Sequence, residues 1–116
     1  MKLLVPAILL LAAEPALAHA FLDTADPAVG STVATPPKAV TLNFTQNVEP
    51  SFSTIEVQDS SGARVDTNDA HVSPDSASAF TIDLKPLVPG DYTVTWHVTS
   101  VDTHKTQGHF VFTVDH

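Results

Sequence analysis

Asp102 and His104 stand two residues apart in the stretch TSVDTHKTQGHF, Thr99 to Phe110. A carboxylate and an imidazole are both metal donors. The residues before them alternate: Tyr92, Val94, Trp96 and Val98 share one parity, which continues to Ser100, Asp102 and His104. If the chain stays extended there, the two side chains project to one side, about 6.5–7 Å apart along the strand. A carboxylate oxygen and a ring nitrogen can then converge on one ion. An isolated Asp-x-His triplet is also common in solvated loops, so the pair needs further donors to become a site. His97 and His109 fall on the outward parity, His71 lies in a polar stretch, and His116 is the last residue. These four read as surface histidines.

His19 is different. It follows Lys2, an apolar stretch from Leu3 to Ala13, and the small-x-small triplet Ala16-Leu17-Ala18. That order reads as a secretory signal over residues 1–18. The apolar stretch falls short of the ~20 residues that span a bilayer as a helix. Cleavage after Ala18 makes His19 the first residue of a domain over 19–116, with a free α-amine. Amine and imidazole Nδ1 of one residue can close a six-membered chelate, and gathering both costs little entropy. His104 would add a third nitrogen and Asp102 an oxygen. Cleavage after Ala20 instead would remove the first ligand.

The donor set narrows the metal. The chain has no cysteine, and its single methionine is Met1. Three nitrogens and one oxygen, without sulfur, suit the tetragonal preference of Cu(II), one ion per chain. Without cysteine there is no disulfide framework, so the core must hold the fold unaided. Beyond residue 18, four Lys and Arg face twelve Asp and Glu, a net charge of −8. That balance argues against nucleic acid and anionic membranes as partners. The domain reads as a monomer with no membrane insertion of its own.

Short strands must position these residues. Val40, Leu42 and Phe44; Ile55 and Val57; Phe80, Ile82 and Leu84; Tyr92 to Val98; and Phe110, Phe112 and Val114 all alternate with polar neighbours. A period of two marks half-buried strands. Turn residues such as DSSG (Asp59–Gly62) and PGD (Pro89–Asp91) separate them. With short additions near Phe21–Thr24 and Arg64–Asp66, about seven strands predict an all-β, antiparallel sandwich of immunoglobulin type. ATPP, Ala34 to Pro37, reads as an entry loop, and Asn68 to Ala79 as an exposed, irregular connection. Trp96 reads as core.

The stretches HAFLDTADPAVGS, AVTLNFTQNVEP, PGDYTVTWHVTSVDTH and GHFVFTV together resemble the CopC family of periplasmic copper-binding proteins. The resemblance runs over nearly all of the chain from His19. It implies a Greek-key β-sandwich with a Cu(II) site made by the amine and ring of His19, Asp102 and His104. It implies a role in copper homeostasis or resistance in the periplasm, as a carrier or buffer and not an enzyme, beside a CopD-like inner-membrane partner. Some relatives hold Cu(I) on a methionine-rich loop. The matching region here, Asn68 to Ala79, has no methionine, which places the chain in the Cu(II)-only type. Many relatives carry Glu at the position of Gln46, supporting the N-terminal amine; Gln46 can accept a hydrogen bond but has no charge. Glu49, three residues on, is a candidate substitute. Relatives also commonly have Arg where His97 stands.

Two other functions fit parts of the pattern. A histidine brace also serves copper monooxygenases, which need an open coordination position and exposed aromatics. This chain has few aromatics, mostly on buried stripes, and Asp102 would favour Cu(II) over reduction. A metal-free immunoglobulin-like structural module would use the same fold.

Overall fold

A computed structural model describes residues 21–116. Its strands are β1 (Leu22–Asp26), β2 (Thr32–Val33), β3 (Ala39–Phe44), β4 (Thr54–Asp59), β5 (His71–Ser73), β6 (Ser76–Asp83), β7 (Gly90–Thr99) and β8 (Lys105–Val114). They form two four-stranded sheets, ordered β1-β3-β6-β5 and β2-β8-β7-β4. This is the strand order of an immunoglobulin-type sandwich. The alternating stripes face inward as their period requires: Val40, Leu42, Phe44, Ile55, Val57, Phe80, Ile82, Tyr92, Val94, Trp96, Val98, Phe110, Phe112 and Val114 are all buried in one core.

Two features lock the second sheet. The Tyr92 hydroxyl donates to the Val88 carbonyl at 2.5 Å, tying the start of β7 to the preceding corner. Trp96 pairs in register with Gly108, and a Cβ at Gly108 would lie 2.5 Å from the indole Cη2. Only a glycine lets the ring lie there. Trp96 then packs against Phe44 and Phe110 at centroid distances of 6.4 and 6.3 Å.

Three expectations change. Asn68–Ala79 is not an irregular connection: it holds β5 and the start of β6, paired as a hairpin with a register shift between Val72 and Ser73. Ala79 and Phe80 are buried in succession there, which breaks the period of two. Arg64–Asp66 forms no strand. It makes single bridges, Gln58 with Arg64 and Asp66 with Leu84. Finally β2, too short to show any alternation, runs parallel to the end of β8, so one sheet is mixed.

The Arg64–Asp66 segment covers the free edge of β4, which would otherwise leave backbone groups unpaired. The Asp66 carboxylate is buried and accepts four bonds: Val57 N–H at 2.8 Å, Asn68 N–H at 2.9 Å, and Arg64 Nε and Nη2 at 3.1 and 2.8 Å. Burial pushes its carboxyl up, but these bonds outweigh burial and hold it below the usual carboxylate range.

Candidate metal centre

The last register pair of β7 and β8 is Thr99 with Lys105, so five residues, Ser100 to His104, close the hairpin. The extended conformation does not persist through them. Ser100 N–H donates to the His104 carbonyl at 2.8 Å, and Thr103 N–H donates to the Ser100 carbonyl at 2.9 Å. Thr103 sits at φ +70°, a left-handed conformation that is costly for a β-branched residue. The chain therefore turns, and the turn brings the two candidate ligands together. Asp102 Oδ2 lies 3.3 Å from His104 Nδ1. Two atoms at that separation can both lie about 2.0–2.2 Å from one ion.

Both side chains face solvent, Asp102 at 52% and His104 at 75% exposure. An ion can reach them without opening the fold. Asp102 Oδ1 accepts a hydrogen bond from the buried Ser100 hydroxyl, which also accepts the His104 N–H at 3.1 Å. The Ser100 bond is the first cause that holds the Asp102 carboxyl below the usual range. Slight desolvation opposes it, and attraction to the His104 ring reinforces it.

Neighbouring segments fix this end of the sandwich. Val48 bridges Ser100, Val101 N–H donates to the Asn47 carbonyl at 3.0 Å, and Glu49 N–H donates to Thr99 at 2.8 Å. Ser53, buried beside a 3-10 turn at Pro50–Phe52, accepts the Thr99 N–H at 3.0 Å and donates to the Glu49 carbonyl at 2.8 Å. On the other side, the Phe21 carbonyl accepts the Thr45 N–H at 2.8 Å. The Phe21 ring lies 5.1 Å from that of Phe44. Residues 45–48 thus join the beginning of the described chain to the Ser100–His104 turn.

Of the residues expected at the site, the structure brings Asp102 and His104 together. His19, like the expected signal over residues 1–18, lies outside the described residues. Gln46 is exposed on the joining segment, one residue from Thr45. The Glu49 carboxylate accepts the Ser51 hydroxyl at 3.1 Å, within its own turn. His71, His97, His109 and His116 are exposed, as their parity and position predict. Among the described residues no group of three or more His, Cys, Asp or Glu side chains is placed to hold a metal. Asp102 and His104 are two donors, a nitrogen and an oxygen. They fit a borderline ion and need completion by other groups. No helix of the described residues is long and apolar enough to cross a membrane. Sequence reasoning carried the inward parity to Ser100 without assigning it a role.

Residues 22–115 match the CopC domain family. Protein YobA of Escherichia coli K12 is 40% identical over 98 residues, 84% of this chain and 79% of that protein. The crystal structure of CopC from Methylosinus trichosporium OB3b superposes with a TM-score of 0.76 at 39% identity, covering 84% of this chain and 94% of that one. PcoC, a methionine-rich copper resistance protein from Escherichia coli, superposes with a TM-score of 0.70 at 30% identity, covering 82% and 97%.

Proposed function

The chain belongs to the CopC family, and from that premise we propose that it is a periplasmic carrier or buffer of Cu(II). It would hold one ion through the amine and ring of His19, Asp102 and His104. The observation that carries this reading is the 3.3 Å approach of Asp102 Oδ2 to His104 Nδ1, on an exposed turn that residues 45–48 tie to Phe21. Two peptide units span at most about 7 Å, so a His19 left first by cleavage stays within that reach of Phe21. Two further nitrogens could then complete the pair.

The chemistry follows from the donors. The amine and both imidazoles bind the ion only as free bases, so loading releases protons. The Asp102 carboxylate adds a negative charge that favours Cu(II) over Cu(I). Its ionisation is secured by the Ser100 hydrogen bond. PcoC is described as methionine-rich, whereas this chain has one methionine, Met1. That contrast supports a Cu(II)-only type. A carrier with solvent-facing ligands can hand its ion to a CopD-like inner-membrane partner without unfolding. Gln46, exposed on the joining segment, would serve the amine as a hydrogen-bond acceptor; Glu49, whose carboxylate bonds Ser51, is the weaker candidate.

Intact mass of the protein recovered from the periplasm, with and without Cu(II), tests the reading. The expected result is a chain starting at His19 that gains one copper. A chain starting at Phe21, or no stoichiometric copper, would overturn it. Adding one residue before His19 should lower the affinity by orders of magnitude, because it converts the amine to an amide. Trp96 lies on the strand that leads into the turn, so saturation with Cu(II) should quench its emission.

A further inference from the structure

Ser100 ends the inward stripe of β7 and is 1% exposed. Its predecessors at this parity, Tyr92 to Val98, are apolar or aromatic, so a hydroxyl here needs a reason. A buried hydroxyl costs free energy unless its bonding capacity is used. Ser100 uses both capacities inside one turn: it donates to Asp102 Oδ1 and accepts the His104 N–H. Its backbone is held as well, by the bridge to Val48 and by bonds to Thr103 and His104. One buried side chain thus connects the rigid sandwich to both candidate ligands.

We infer that Ser100 is the positioning residue of the copper site, an inference that rests on the Cu(II) reading above. The Ser100 hydroxyl occupies Oδ1 of Asp102 and leaves Oδ2, the oxygen beside His104 Nδ1, as the one offered to the ion. The carboxylate therefore binds through one chosen oxygen. A carboxylate on an exposed turn would otherwise rotate freely and lose that freedom on binding. The bond to the His104 N–H fixes the second ligand's backbone in the same arrangement. Because the hydroxyl is buried, water competes poorly for these bonds. Partners of this kind, one bond behind a metal ligand, are typically worth 10–100-fold in affinity.

A serine that merely stabilised the turn would affect folding and leave the bound copper unchanged, and the test separates the two roles. Ser100→Ala, Ser100→Thr and Ser100→Val are compared with the wild-type protein from the periplasm. The measurements are Cu(II) competition titration, electron paramagnetic resonance of the bound ion, and thermal unfolding of the metal-free proteins. Threonine and valine share one shape, so their difference isolates the hydroxyl from packing. The expected result is a 10–100-fold loss of affinity and altered copper hyperfine splitting in Ser100→Ala and Ser100→Val, with Ser100→Thr closer to wild type in both. Affinities within twofold across the set, with superimposable spectra, would overturn the inference whatever the unfolding temperatures. Should Ser100→Ala not fold, the Thr–Val comparison decides. A wild-type protein that binds no copper overturns the Cu(II) reading and this inference together; a wild type that binds beside an equal Ser100→Ala overturns this inference alone.

Discussion

Asp102 divides its carboxylate between the fold and solvent, one oxygen on Ser100 and the other beside His104. The division has a consequence in acid. The Ser100 bond lowers the carboxyl pKa from its ordinary 3.8, so Asp102 stays ionised through the neutral and mildly acid range. The protons that would compete with copper there are those the amine and imidazole nitrogens must lose to bind it. Cu(II) affinity should therefore fall steadily from pH 8 to pH 5. Asp102→Asn should lower it at every pH without changing that slope, as competition titrations across the range would show. A slope that flattens in the variant would assign one of the protons to the carboxyl. Gly108 poses a purely steric problem. Any Cβ there must displace the buried Trp96 ring, and forced overpacking costs about 1–3 kcal/mol. Gly108→Ala should lower stability by roughly that amount and shift Trp96 emission to the red, as chemical denaturation and fluorescence would report.

At the scale of elements, the edge of β4 depends on one buried acid. Asp66→Asn removes the charge that Arg64 pairs with, and breaking a buried pair costs about 3–5 kcal/mol; with Arg64 half exposed, about 2–3 kcal/mol is expected. The pH sign follows from the lowered pKa of Asp66. Its contribution is present above the unfolded value near 3.8 and is lost as pH falls through the lower folded value. Wild-type stability should drop below pH 4 with a component absent from Asp66→Asn, which denaturation curves at pH 7, 4 and 3 would resolve. This hook was not legible in the sequence, because an acid becomes structural only when an edge strand and a guanidinium close over it. The long stripes were legible, since in β3, β7 and β8, and in β4 as far as Val57, burial follows parity. The β5–β6 hairpin was hidden because Ser73 and Ser76 pair through backbone while offering little apolar pattern, around a turn at Pro74 and Asp75. Asp102 and His104 were legible as a pair, but not the route that joins them. Parity assumed an extended chain, whereas Ser100 and the left-handed Thr103 turn it. Thr103→Asn, a residue that tolerates that conformation, should stabilise the protein by about 0.5–1 kcal/mol. Its Cu(II) affinity should stay within a few-fold, because the Thr103 hydroxyl bonds the Asp102 carbonyl and, among the described residues, neither candidate ligand side chain.

Across the whole molecule, copper held as proposed would tie the chain start to the β7–β8 turn. The sandwich is held by one core without cysteine, so reductant should not change its stability, and the proposed copper tie would add to that core. A ligand bound only by the folded state adds RT ln(1 + [L]/Kd), about 2.7 kcal/mol at one hundred times Kd. For a domain near 100 residues each kcal/mol shifts Tm by about 4–8 °C, so Cu(II) should raise the midpoint by roughly 10–20 °C. On the proposed ligand set the unfolded chain would keep part of the donors, because the amine and imidazole of His19 are local to one residue. That residual binding reduces the shift and sets its upper bound. Removing His19 and Ala20, so that the chain begins at Phe21, deletes two nitrogens while sparing the core, whose first member is Phe21. Scanning calorimetry should then show a metal-free midpoint close to that of the longer chain and almost no response to Cu(II). An equal copper shift in both chains would mean that the described residues alone hold the ion, and the amine of His19 would lose its place in the site.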